Sequence, residues 1–211
     1  MFSCRLMTTV FRQDPELNHD AAHNPGQYLR KETVALGREK QACVLLLPVG
    51  KLRPEPLLES LTARDRDRAA SLQSSARYTE FVTSRWLLQQ LPRSTHGPVT
   101  ISHCRRWIAV AGSASGALGL DVESRLPRQL PEVVERLCWE NLAPDQYLQA
   151  WTLWEAWRKL AGGSVLDEPD AVYADVLAAA ASLFEGPQLL QDITWWSMKL
   201  EGGCVSLASR S

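Results

Sequence analysis

The chain lacks the patterns that mark several common classes of protein. Its five cysteines form no C-x-x-C pair and are odd in number, which argues against both a zinc site and a disulfide framework. No apolar run approaches the roughly 18 residues that a membrane span requires. Residues 1–10 carry Arg5 inside what would be the apolar core of a signal sequence. We therefore expect a cytoplasmic protein with no membrane partner.

Strong net charge of either sign is also missing. The formal net charge is −1 and the pI is about 6.4, whereas a nucleic-acid-binding domain usually needs a basic excess to neutralise phosphates. We therefore expect no nucleic-acid partner. The charge is nevertheless uneven, with nine arginines against five acids in residues 53–106 and three arginines against seven acids in residues 107–155. Such runs are most often solvated surface, but this order also suits a site that binds phosphates and a metal cation.

The chain does contain enough apolar sequence for a core, because 45% of its residues are hydrophobic and eight are tryptophan. Residues 1–40 have no sustained apolar period and are rich in polar residues, proline and glycine. We expect them to form a poorly ordered extension, with the fold beginning near Gln41.

The order of periodic patterns beyond this point predicts an α+β protein. Strands are predicted at residues 43–49, 99–103, 107–111, 117–123, 193–199 and 204–208. Helices are predicted within residues 57–91, 131–141 and 144–160, and glycine closes the last. Short connectors join the three strands between residues 99 and 123, which predicts an antiparallel meander. The last two strands predict a terminal hairpin.

Two pairs of residues in these elements are candidates for chemistry. Asp121 and Glu123 alternate along a strand, so both carboxylates point to one face at a spacing suited to one hard cation. Glu155 and Lys159 lie four apart on a helix, where such pairs are common on plain surfaces. Three tryptophans flank Glu155, however, and a largely buried carboxylate needs a cation or metal partner.

A third candidate is His103, which ends a strand and precedes Arg105 and Arg106. A lone histidine at a strand end is more often structural than functional. Beside two guanidinium groups, which match the geometry of phosphate oxygens, it indicates an anion-binding role.

Together and in this order, the segments resemble the surfactin-synthetase-activating type of 4′-phosphopantetheinyl transferase. That family carries motifs of the form S-H-S-x-x-W, G-x-D-x-E and W-x-x-K-E-A-x-x-K. This chain has S-H-C-R-R-W at residues 102–107, G-L-D-V-E at residues 119–123 and W-T-L-W-E-A-W-R-K at residues 151–159. Upstream, Arg77 and the segment F-V-T-S-R-W-L-L at residues 81–88 resemble the family's arginine helix. The resemblance covers residues 43–165.

The resemblance implies a magnesium-dependent enzyme of the holo-[acyl-carrier-protein] synthase type, which transfers the phosphopantetheine group of coenzyme A to a serine of an acyl or peptidyl carrier protein. Asp121, Glu123 and Glu155 would bind the magnesium ion. Glu155 and Lys159 would be catalytic, with Glu155 or a water on the metal accepting the serine proton and Lys159 reaching the pyrophosphate. By the same resemblance, the residues that bind coenzyme A would be Arg77, Arg85, Ser102, His103, Arg106 and Lys159.

The resemblance also implies a pseudo-dimeric fold with two similar α/β halves and a monomeric protein. Residues 41–115 would form the half that carries the basic elements for the coenzyme A phosphates. Residues 116–211 would form the half that carries the acidic metal site.

The chain departs from the family's motifs at two places. Trp154 stands where the family usually has lysine, and Cys104 with Arg105 replaces small residues after the histidine. Trp154 is turned about 100° around the helix from Glu155. We therefore expect it to border the site without binding the metal, either as packing or as an apolar contact for the carrier protein.

Two other functions remain open. The loss of the lysine at residue 154 favours a catalytically degenerate member of the family that binds coenzyme A or a nucleotide. A metal-dependent nuclease or nucleotide phosphohydrolase could also use three acidic residues, but the sequence has neither a glycine-rich phosphate loop nor a histidine cluster.

Overall fold

The structure, a computed structural model, describes residues 25–36, 40–49, 53–95, 97–126, 128, 135, 139, 142–162, 187–190 and 192–210. Over these residues the fold is α+β, as predicted, with two antiparallel four-stranded sheets and four α helices. No helix within these ranges is long and apolar enough to cross a lipid bilayer.

The first sheet has the strand order β1-β2-β4-β3. Its strands are β1 (Arg30–Ala35), β2 (Gln41–Pro48), β3 (Val99–His103) and β4 (Trp107–Ser113). The second sheet has the order β5-β8-β7-β6. Its strands are β5 (Leu118–Glu123), β6 (Gln188–Leu190), β7 (Ile193–Leu200) and β8 (Gly203–Arg210).

The helical region predicted within residues 57–91 consists of α1 (Pro54–Leu58), α2 (Ala63–Ala70) and α3 (Ser75–Gln90). It is divided because Thr62 and Ser74 each adopt an extended conformation and accept a backbone hydrogen bond as N-caps. The predicted helix at residues 144–160 is present as α4 (Tyr147–Ala161), which follows a 3-10 turn and ends at Gly162 in the left-handed conformation.

The sheets pack face to face, and helices cover their outer faces. In β2, Ala42, Val44 and Leu46 point into the core between the sheets, while the alternate residues point toward α1–α3. Strands β5, β7 and β8 contribute their own alternate apolar residues to the same inter-sheet core. On the outer face of the second sheet, the apolar side of α4 packs against β7 and β8. Each sheet is therefore buried on both faces at its centre.

The predicted three-stranded meander is wrong. β3 and β4 pair in antiparallel fashion, but β5 belongs to the other sheet and pairs with β8 along its whole length. Gly116, with φ of 87°, lies in the turn before β5 and allows the chain to change direction. Alternation shows that a segment is a strand but does not specify its partner. The predicted terminal hairpin is confirmed as β7 and β8.

Residues 1–40 are predicted to form a poorly ordered extension, but residues 25–36 contain strand β1. β1 pairs with β2 from Arg30 opposite Leu46 to Ala35 opposite Gln41, and Val34 and Leu36 are buried. The polar composition of β1 does not predict a strand, because an edge strand is held mainly by backbone hydrogen bonds and needs few apolar side chains. Residues 1–24 lie outside the described residues, as does most of the helix predicted at 131–141.

Gly119 in β5 lets α4 lie directly on the second sheet. A Cβ atom at this position would collide with the carbonyl oxygen of Ala156 and lie 2.7 Å from the backbone nitrogen of Leu160. Because backbone atoms form the contact, side-chain rotation cannot relieve it. The first residue of the G-x-D-x-E motif thus determines how closely α4 approaches the carboxylates that follow.

We expect Gly119→Ala to lower the free energy of unfolding by about 1–3 kcal/mol, because α4 must move away from β5. Urea denaturation measures the change. Gly162→Asn is the control, since asparagine tolerates the left-handed conformation and no atom would contact the new Cβ. Equal stability of the two variants would contradict this account of the helix–strand contact.

Candidate active site

Edge strands of the two sheets meet at the candidate site. Ser102 of β3 donates a hydrogen bond to Asp121 Oδ1 of β5 at 2.9 Å, and its hydroxyl oxygen accepts from the Val122 backbone N–H at 3.2 Å. Both bonds join segments of the chain about twenty positions apart. The serine of the histidine motif therefore connects the two sheets where the acidic strand begins to leave the core.

Lys159 of α4 completes this network. Its ammonium group donates to Asp121 Oδ1 at 2.8 Å, to Ser102 Oγ at 3.0 Å and to the Leu120 carbonyl oxygen at 3.0 Å. An ammonium group has three protons, so all of them have acceptors here. Three segments from three different motifs are thus hydrogen-bonded to one another.

Asp121 is 4% exposed, and its second carboxylate oxygen, Oδ2, is buried without a hydrogen-bond partner among the described residues. A buried carboxylate oxygen without a donor is unfavourable by about 1–3 kcal/mol or more, because it has lost water and gained nothing. Among the described residues, this oxygen is therefore an unused acceptor on a residue that lines the cleft described below.

The acidic residue of the helix motif, Glu155, has a partner of its own. Its Oε1 atom accepts a hydrogen bond at 2.9 Å from Arg158, which is 4% exposed. The Arg158 guanidinium also lies over the Trp154 ring, 4.7 Å from the ring centroid. Sequence reasoning missed Arg158, although its position three residues after Glu155 on a helix was a usable signal.

These residues surround a single cleft of about 340 Å³. Its lining residues come from β3, β5 and α4: Ile101, Ser102, His103, Asp121, Glu123, Trp151, Glu155 and Lys159. The three predicted metal ligands and both predicted catalytic residues are among them. Carboxylates 34 positions apart along the chain therefore face the same space.

The crowding of acids and their burial shift the pKa values in the cleft. Burial, with added repulsion from Asp121 and Glu155, raises the pKa of Glu123 to about 7. Burial also raises the pKa of Glu155, although the nearby Arg158 guanidinium opposes the shift. Two carboxyl groups whose charged forms are disfavoured by their surroundings would both be stabilised by a bound cation.

Asp121, Glu123 and Glu155 carry the oxygen ligands that a divalent cation takes, but they do not form a finished metal site. No group of three histidine, cysteine, aspartate or glutamate side chains in the described ranges is close enough to hold a metal as it stands. Lys159 occupies Asp121 Oδ1 and Arg158 occupies Glu155 Oε1. The unpartnered Asp121 Oδ2 and the raised pKa of Glu123 are the two observations that favour a cation here.

The predicted phosphate-binding residues are more scattered. His103 lines the cleft, is about half exposed, and has Nδ1 at 3.7 Å from Glu80 Oε1. Arg77 and Arg85 lie on α3 and are not among the lining residues. The Arg85 Nε atom is 3.6 Å from Asp65 Oδ1.

Arg106, which sequence reasoning grouped with His103, lies elsewhere. It lines a second pocket of about 410 Å³ between the start of α4 and the β7–β8 turn. Its guanidinium rests against Gly202, where an added Cβ would collide with it. The tight turn between β3 and β4 separates the two side chains, because His103 ends one strand and Arg106 precedes the next.

Trp154 is only 6% exposed and packs in the core beneath α4. Its ring lies 5.0 Å from that of Trp151, with a tilt of 52°. This agrees with the predicted packing role and excludes the alternative that the side chain presents an apolar surface to a carrier protein.

Comparisons with known proteins add no assignment. No protein-family model matches the chain, and a search of curated proteins also found no match.

The raised pKa of Glu123 predicts how stability depends on pH without added metal. The unfolded chain loses this proton near pH 4.5, while the folded protein retains it to about pH 7. The contribution of Glu123 is therefore fully present below pH 4.5 and is lost as the pH rises to about 7. We expect Glu123→Gln, which stays neutral, to gain stability relative to wild type between pH 5 and pH 8.

Urea denaturation in the presence of a chelator measures this difference at each pH. Glu55→Gln, which changes an exposed carboxyl on α1, is the matched control. Parallel stability curves for wild type and Glu123→Gln would show that the Glu123 carboxyl is not perturbed as described.

Proposed function

We propose that this chain is a 4′-phosphopantetheinyl transferase, which moves the phosphopantetheine group of coenzyme A to a serine of an acyl or peptidyl carrier protein. One observation carries the proposal. Three sequence motifs separated by up to about fifty residues supply Ser102 and His103, Asp121 and Glu123, and Glu155 and Lys159 to one cleft. Motifs that matched by chance would have no reason to meet in space.

The strand order supports the pseudo-dimeric form of the fold. In the first half, the chain runs from β2 through α1–α3 to β3 and β4, and the sheet order is β2-β4-β3. In the second half, it runs from β5 through α4 to β7 and β8, and the sheet order is β5-β8-β7. Apart from β1 and β6, which are added at the edges of the two sheets, both halves thus place the last strand between the other two, with helix on the outer face.

The proposed reaction needs positive charge at a diphosphate and a proton acceptor near the attacking serine. The carrier serine oxygen would bond to the phosphorus attached to pantetheine, the bond from that phosphorus to the bridging oxygen would break, and 3′,5′-adenosine bisphosphate would leave. A divalent cation held by Asp121, Glu123 and Glu155 would neutralise charge that develops on the phosphate oxygens.

The chain's own residues supply the remaining functions. Lys159 can contact a diphosphate oxygen if it exchanges one of its three present acceptors. Glu155 lines the cleft, where its carboxylate or a water beside it would accept the proton of the carrier serine. His103, which lines the cleft and is about half exposed, would bind a phosphate of the nucleotide.

The alternative is a degenerate protein that binds coenzyme A without transferring its arm. It is favoured by the occupation of Asp121 Oδ1 and Glu155 Oε1 by cationic side chains. Retention of all three carboxylates in one cleft favours the transferase.

The proposal is tested by incubating the protein with coenzyme A, magnesium and a panel of apo carrier proteins, with the carrier mass measured by mass spectrometry. We expect one phosphopantetheine group to be added, and Glu155→Ala to slow transfer by about 100-fold or more. Glu55→Ala, an exposed change on α1, should transfer like wild type. Binding of coenzyme A without transfer to any carrier would support the degenerate alternative, and release of nucleotide without a carrier would indicate a phosphohydrolase.

His103→Ala should raise the KM for coenzyme A more than it lowers kcat, because a phosphate contact made equally in the ground and transition states contributes to binding alone. Steady-state kinetics with a saturating carrier measures both constants. Arg106→Ala is the comparison, since Arg106 lies at the second pocket and should leave the KM for coenzyme A near its wild-type value. An unchanged KM in His103→Ala would remove the histidine from the phosphate site.

A further inference from the structure

Arg158 is buried beside an active-site carboxylate, which requires an explanation. It is 4% exposed, less than any other arginine whose burial the structure describes, yet it lies on the helix that borders the open cleft. A buried guanidinium is strongly unfavourable unless charged or aromatic groups compensate for lost water. Arg158 has both, because Glu155 Oε1 lies at 2.9 Å and the Trp154 ring lies 4.7 Å below the guanidinium carbon.

The positions of these residues along α4 explain how Arg158 comes to lie on Trp154. Trp151, Trp154 and Arg158 follow one another at intervals of three and four residues, so they stack along one stripe of α4. Trp151 supports Trp154, and Trp154 provides a flat surface that suits a planar guanidinium better than a lysine ammonium. Arg158 is thereby held on the Trp154 ring with one of its N–H donors directed at Glu155.

We propose that Arg158, held on Trp154, is a positioning residue that orients Glu155 toward the cleft and supplies the cation that the related motif carries as lysine at residue 154. The inference deepens the proposed function and rests on it. Because Oε1 accepts from Arg158 and Glu155 lines the cleft, Glu155 would use its other carboxylate oxygen to bind a ligand there. The positive charge that the related motif carries at residue 154 is then carried by Arg158, one helical turn further along α4.

Arg158 would act on the cleft through Glu155, because Arg158 itself is not among the residues that line the cleft. Partners that orient a metal ligand typically change metal affinity by about 10–100-fold when they are removed. A residue that merely fills the core would change stability and leave the affinity for a cation unaltered.

The test is calorimetric titration of Mn²⁺ into the full chain saturated with coenzyme A and without a carrier, so that no turnover occurs. We expect Arg158→Met to bind Mn²⁺ about tenfold more weakly than wild type. Arg158→Lys should recover part of the loss, because it keeps the charge and loses the planar fork. Arg68→Met, an exposed change on α2, is the matched control and should bind as wild type does.

Trp154→Leu tests whether the tryptophan acts through Arg158. We expect a weaker effect in the same direction, and we expect Trp154→Leu with Arg158→Met to be no worse than Arg158→Met alone. Thermal unfolding identifies any variant that fails to fold, and in that case Trp154→Phe and Arg158→Lys replace the larger changes. Two independent, additive losses would contradict a single Trp154–Arg158 unit.

The inference is overturned if Arg158→Met lowers the melting temperature but binds Mn²⁺ as wild type does. Its failure can be separated from that of the proposed function by the transfer assay. If wild type transfers and Arg158→Met has the same kcat, the inference fails alone. If Mn²⁺ affinity depends on Arg158 but wild type transfers to no carrier, the proposed function fails and the positioning role stands.

Discussion

The 2.8 Å contact between the Lys159 ammonium and Asp121 Oδ1 is the interaction on which the site depends. Asp121 is buried at the junction of two sheets, where an isolated carboxylate would be strongly unfavourable. Lys159 from α4 and Ser102 from β3 both bond to the same oxygen. Helix, acidic strand and histidine strand are therefore fixed relative to one another by one atom. Breaking such a pair leaves an uncompensated charge, so geometry and stability are coupled here.

At the same junction, carboxyl groups remain available to bind a cation. Two carboxyl groups, Glu123 and Glu155, have raised pKa values, and Asp121 Oδ2 has no donor within the described part of the chain. The three carboxyl groups that line the cleft thus outnumber the two cationic side chains that bond to them among the described residues, Lys159 and Arg158. Under the proposed function, a divalent cation with a diphosphate would complete the balance, because the cation would neutralise the acids while Lys159 and His103 would face the phosphates. This imbalance is what connects the fold to the proposed transfer chemistry.

Much of the site could be predicted from the sequence, because period-two and helical spacing place Asp121 with Glu123 and Glu155 with Lys159. The partner of β5 could not be predicted, since alternation identifies a strand but carries no information on pairing. Arg106 was grouped with His103 because they are close in sequence, yet a tight turn directs them to different pockets. Arg158 was missed because an arginine near a helix end ordinarily extends into water, and only the packing on Trp154 shows its burial.

Diffraction tests most directly whether the separated carboxylates share a cation in the presence of substrate. Crystals grown with coenzyme A and Mn²⁺ would show the metal by its anomalous signal. We predict a single strong peak bound by Asp121 Oδ2 with oxygens of Glu123 and Glu155, and with the coenzyme A diphosphate as a further ligand. A peak remote from Asp121, or coenzyme A bound outside this cleft, would contradict the account.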